Sequence, residues 1–174
     1  MEFSVLKSIE ILSNTPQVLE HLLRNLSNEW TSVNEGPDTW SAYDIVGHLI
    51  HGEKTDWIPR MEIILSNKTD KKFEPFDRNA QFVESKNKTL NNLLDEFKTL
   101  REENVEILRS KIISDQVLEK TGIHPAFGEV SLKQLIATWV VHDLNHLSQA
   151  ARVMAKQYKT ETGPWVEYLP ILTK

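Results

Sequence analysis

The segment WVVHDLNHLSQ, residues 139–149, holds His142 and His146 four positions apart with Asp143 between them. Its other residues are apolar enough for a core, where two imidazoles and a carboxylate are costly to bury unless something satisfies them. On a helix, positions i and i+4 project side by side, so both imidazoles can reach one cation. A second segment, IVGHLIHGE, offers a third ligand. His48 lies nearer the apolar flank of Ile45 and Leu49, whereas His51 is rotated toward the polar side. His48 is therefore the expected third ligand and His51 the fallback. Three neutral imidazoles with a position left for water match an open catalytic zinc site, and imidazole also suits nickel, copper and iron. The competing reading is a set of hydrogen-bonded core histidines without metal, and spacing alone leaves both open.

Other polar residues interrupt the apolar faces: Glu53 and Asp56 after the first histidine pair, Arg101 and Asn104 further on. One reading is a buried ion pair of Arg101 with Asp56 or Asp143. The other makes these groups orient the imidazole N–H groups and steer bound water. On that second reading Asp143 and Glu53 are the candidate catalytic helpers, neither assignable as general base. Gln149, one turn beyond His146, reaches either the ligands or substrate, or is a surface amide. Trp30, Trp40, Trp57, Trp139 and Trp165 read as core and interface filler.

Four amphipathic helices are expected to position these groups. The first is TPQVLEHLLRNLSNEW, with Thr15 as N-cap, Pro16 at the first turn, and Val18, Leu19, Leu22, Leu23 and Leu26 on one face. FSVLKSIEIL reads as a short helix leading into it. The second runs through SAYDIVGHLIHGEKTDWIPRMEIIL, with a Ser41–Asp44 capping box and a kink or break at Pro59. The third is SKNKTLNNLLDEFKTLREENVEILRSKI, striped by Leu90, Leu93, Leu94, Phe97, Leu100, Val105, Leu108 and Ile112. The fourth opens at the Ser131–Gln134 capping box and runs to about Lys156. KKFEPFDRNAQF reads as an irregular crossover, TGIHPAFGEV as a second loop, and no segment as a strand of useful length. The expectation is an all-α protein, a four-helix bundle with long crossover connections, forming a single domain over residues 1–174.

Composition narrows the function classes. A net charge of -5 argues against a nucleic-acid partner. The chain has no cysteine, which excludes disulfides, thiolate ligands and a cysteine nucleophile, so any sulfur nucleophile must arrive with a cofactor. No apolar run approaches the roughly 20 residues of a membrane span, and the N-terminus does not read as a signal peptide. A cytoplasmic protein is expected.

Two families share these patterns. HDLNH is one methylene from H-E-x-x-H, the zinc metallopeptidase signature, with Asp143 in place of the general-base Glu. No third ligand follows it. The larger likeness spans nearly the whole chain. TWSAYDIVGHLIHGEKTDWIPR, PFDRNAQ, TGIHPAFGEVSLKQLIATWVVHDLNHLSQAARVMAKQY and GPWVEYL, in this order, resemble the DinB-like (YfiT-like) superfamily of metal-binding four-helix bundles. That resemblance implies a divalent metal, usually zinc or nickel, held by His48, His142 and His146. It also implies a small-molecule substrate, a homodimer, and either thiol-dependent transfer with a low-molecular-weight thiol as co-substrate or metal-dependent hydrolysis. A non-catalytic metal-binding or dimerisation module is the alternative.

Overall fold

The computed structural model describes residues 1–112 and 114–173. Its elements are α1 Val5–Leu23, α2 Asn28–Thr31, α3 Ala42–Thr55, α4 Trp57–Leu65, α5 Gln81–Glu84, α6 Leu90–Lys111 and α7 Asp115–Leu118. There follow strands β1 Thr121–His124 and β2 Gly128–Ser131, helix α8 Leu132–Lys156, and two 3-10 turns, Gly163–Tyr168 and Pro170–Leu172. Helices α1 and α3 each pack against both α6 and α8, which closes a four-helix bundle. No described helix is long and apolar enough to cross a membrane.

α1 departs from the sequence expectation in an instructive way. Pro16 lies inside one continuous helix, and Thr15 is not its N-cap. A proline there leaves the carbonyl four residues back, that of Leu12, without its N–H. Arg101 of α6 supplies the missing donor, Nη1 to Leu12 O at 2.9 Å. Because Pro16 does not restart the helix, the phase is set from Val5. The buried apolar residues are Ile9, Leu12, Pro16, Leu19 and Leu23, while Val18, Leu22 and Leu26 are exposed.

The second helix breaks as Pro59 requires, with Asp56 ending α3 and opening α4. Reciprocal bonds at Ser41–Asp44, Thr89–Asn92 and Ser131–Gln134 cap α3, α6 and α8. TGIHPAFGEV is a hairpin rather than a loop. β1 and β2 pair antiparallel from Thr121↔Ser131 to His124↔Gly128, with Gly128 at φ +72. Four residues per strand are too few for an alternating pattern to register. The crossover docks on this hairpin: Ile123 donates to Lys71 O at 2.8 Å and Phe73 to Ile123 O at 2.9 Å. Gly122 permits the approach, since a Cβ there would stand 2.5 Å from Phe73 Cε1.

The apolar core comes in two pieces. One gathers Leu12, Met61, Val105, Leu108, Ile136 and Trp139; the other gathers Leu19, Ile45, Leu49, Leu93, Phe97 and Val153. On α3, α6 and α8 a polar step falls between the two sets: Glu53, then Arg101 and Asn104, then Asp143 and His146. The bundle therefore carries a buried polar layer, and the histidines lie against it.

Candidate metal centre

His48 reaches the layer from α3, and His142 and His146 reach it from α8. His142 Nε2 stands 3.1 Å from His48 Nε2 and 3.1 Å from His146 Nε2. One ring nitrogen cannot be donor and acceptor at once, so two such contacts are poorly met as hydrogen bonds among neutral imidazoles. A shared cation accepts all three lone pairs. With metal–nitrogen bonds of about 2.0–2.1 Å, donor atoms sit about 3.3 Å apart at tetrahedral angles and about 2.9 Å at right angles. Both distances from His142 Nε2 fall between these values. Among the described residues this is the group of three whose donor atoms gather within 4.8 Å.

The protonation states agree. Burial, helped by charge on His146, pushes His48 down to about 3 and His142 to about 2. His146 is lowered as well, chiefly by burial. All three rings are neutral at physiological pH, as ligands must be. Gln149 Oε1 lies 2.8 Å from His146 Nδ1. Accepting from that nitrogen, the amide oxygen puts the ring proton on Nδ1 and turns the Nε2 lone pair inward. Among the described residues His48 and His142 have no hydrogen-bond partner at Nδ1. Aromatic rings hold them instead: Trp40 beside His48 at 4.6 Å and Trp57 edge-on to His142 at 5.1 Å.

The other sequence candidates lie elsewhere. His51, the fallback ligand, contacts Glu84 Oε1 through Nδ1 at 3.0 Å and fastens α5 to α3. Asp143 and Glu53 form the network with Arg101. Nη1 and Nη2 of Arg101 meet Asp143 Oδ2 at 2.5 Å and Oδ1 at 3.0 Å, and Nη2 also reaches Glu53 Oε1 at 2.7 Å. Asn104 Nδ2 and Trp139 Nε1 donate to the remaining Glu53 lone pairs at 2.9 Å and 3.1 Å. Burial raises Glu53 against the opposing pull of Arg101. Both side chains are fully buried and neither lines the cavity described below. Asp143 faces Arg101 rather than the histidine nitrogens, which separates HDLNH from the metallopeptidase arrangement.

In front of the histidines opens a cavity of about 780 Å³, walled by Trp40, Trp57, Phe73, Phe76, the hairpin tip and one face of α8. Its carboxylate is Asp56, which pairs with Arg60 Nε at 2.5 Å, a close ionic contact without hydrogen-bond geometry, and not with Arg101. Burial raises Asp56 to about 6. Sequence reasoning missed its place in the cavity. Its position at the break between α3 and α4 is the available signal.

Comparisons with known proteins bear on the fold and the family. No curated protein matches the chain. YfiT from Bacillus subtilis, described as a probable metal-dependent hydrolase with an unusual four-helix bundle topology, superposes with a TM-score of 0.76 at 17% identity, over 90% of each chain. At that identity the likeness establishes the shared fold. The sequence model of the DinB superfamily matches residues 11–150, from Ile11 within α1 to Ala150 within α8. A match of that length takes in all three histidines and the helices that carry them, and the chain belongs to the DinB superfamily.

Proposed function

We propose that this protein is a divalent-metal-dependent enzyme acting on a small molecule, with hydrolysis as its reaction. The observation that carries the reading is the convergence of three neutral imidazoles at the wall of a cavity large enough for a substrate. A purely structural metal would be closed in by protein ligands. When bound, zinc or nickel would supply Lewis acidity and a nucleophile activated near neutral pH. His48, His142 and His146 would hold the cation, and Gln149 fixes the tautomer of His146. Trp40 and Trp57 shield the histidines from bulk water. Asp56, with its carboxyl near neutrality, takes or returns a proton at the cavity wall. Asp143 and Glu53 act through Arg101 to keep α3, α6 and α8 in register, as positioning residues.

A volume of about 780 Å³ also leaves room for a second reactant. Thiol-dependent transfer, with a low-molecular-weight thiol as co-substrate, is the second reading. One domain over residues 1–174 and a homodimer complete the proposal; exposed Trp165 and Tyr168 in the C-terminal turns support self-association.

The test is a panel of activated esters, amides and thiol-reactive electrophiles offered to zinc- and nickel-loaded protein, with and without added thiol. Turnover that needs metal and disappears in His142→Ala supports the reading. Turnover without thiol indicates hydrolysis; stoichiometric thiol consumption indicates transfer. Equal activity in His142→Ala would overturn both.

A further inference from the structure

The cavity before the histidines is more positive than the chain that builds it. The chain carries a net charge of -5, yet among the described residues the charged side chains lining this cavity are Arg60, Arg78 and Asp56, one positive charge in excess. Glu74 and Asp77, the acidic residues flanking Arg78 in the crossover, do not line it. Arg60 faces Asp56 through Nε in an ionic contact without hydrogen-bond geometry and donates Nη2 to the Glu74 carbonyl at 3.4 Å, and its Nη1 makes no protein hydrogen bond among the described residues. Arg78 makes neither an ion pair nor a hydrogen bond among them, and it is exposed. Phe76, two residues before it, stands edge-on to His48 at 5.4 Å.

A guanidinium is a planar fork of donors that matches carboxylate or phosphate oxygens. A free fork on a cavity walled by Trp40, Trp57, Phe73 and Phe76 thus offers one polar anchor, an apolar body site and a reactive centre within one cleft.

We propose that the substrate is a small oxyanion, a carboxylate or phosphate on an apolar body, and that Arg78 selects it by pairing with the anionic group while the reacting end faces the three histidines. This rests on the cavity being the active site. Arg60 Nη1 is a second donor for the same group.

Trp40 and Trp57 make the experiment direct. Tryptophan fluorescence of the zinc-loaded full-length chain is titrated with benzoate, phenyl phosphate and benzyl alcohol at low and high salt. The anions should bind at least about tenfold more tightly than the alcohol, with the advantage shrinking as salt rises. Arg78→Gln should lose most of it while keeping its metal content and melting temperature. The stronger of the two anions identifies the oxyanion preferred. Benzyl alcohol binding as well as the anions, no measurable anion binding, or full anion affinity in Arg78→Gln would each overturn the proposal. Metal-free His142→Ala separates this proposal from the functional reading. Anion binding that persists there and still depends on Arg78 supports the anion site, whatever becomes of the metal. Binding that needs the metal and ignores Arg78 refutes it.

Discussion

Arg101 and Asp143 meet in a two-pronged ion pair deep in the bundle, with side chains no more than 1% exposed. Asp143 follows His142 directly in the chain, so the pair fixes the rotation of α8 from which His142 is presented. The same guanidinium satisfies the Leu12 carbonyl that Pro16 leaves without a partner and also holds Glu53. One side chain thus links α1, α3, α6 and α8.

Removing that guanidinium leaves two buried carboxylates and an orphaned carbonyl. Arg101→Ala is expected to cost about 3–5 kcal/mol, the usual loss when a buried pair is broken from one side. Urea denaturation measures it. Arg101→Lys should recover only part of the loss, because an ammonium cannot fork to Asp143 and Glu53 together. A loss within about 0.5 kcal/mol would deny the network its structural role.

Gln149 contacts His146 and is absent from the cavity lining. Gln149→Leu should therefore weaken metal affinity by about 10–100-fold, the usual effect of losing a hydrogen bond behind a ligand. Competition with a chromogenic chelator reads this. Fold stability of the metal-free form should change little, since the amide is only part-buried.

The stability of metal-free protein should depend on pH with a defined sign. His48 and His142 titrate near 3 and 2 in the fold, below an unfolded value near 6.5. Their contribution is complete above pH 6.5 and is lost as pH falls toward those folded values. Asp56 works in the opposite sense: its folded value of about 6 exceeds the usual 3.8, so acid relieves a cost. Two histidines outweigh one aspartate. The net loss between pH 7 and pH 4 should be on the order of 3 kcal/mol, read from denaturation midpoints. Stability that rises over this interval would contradict the buried, neutral state of the histidines.

Gly122 is the close-packed point between hairpin and crossover. Gly122→Ala puts a methyl into Phe73 and Ile64, at 2.5 Å and 3.0 Å, and should destabilise by about 1–3 kcal/mol. Because Phe73 walls the cavity, binding of benzoate should weaken along with thermal stability.

What the sequence discloses here is local. Ser131 and Gln134 announce the start of α8, and the chain keeps that helix to Lys156. The four-residue spacing places His142 and His146 together, and the apolar flank of Ile45 and Leu49 points His48 toward them. What it conceals depends on partners distant in the chain. Pro16 stays within α1 because a side chain from α6 replaces the lost hydrogen bond. Whether Arg101 pairs with Asp56 or Asp143 depends on how α4 turns after its break. The hairpin is bonded to a crossover some fifty residues earlier in the chain, and its short strands carry no periodicity of their own.

The most direct measurement is the metal content of protein purified without a histidine tag, before and after reconstitution with zinc or nickel. The account predicts about one divalent ion per chain, and its loss in His48→Ala and His142→Ala while circular dichroism still reports a helical bundle. A chain that takes up no ion on reconstitution, or a His142→Ala variant that keeps full occupancy, would contradict it.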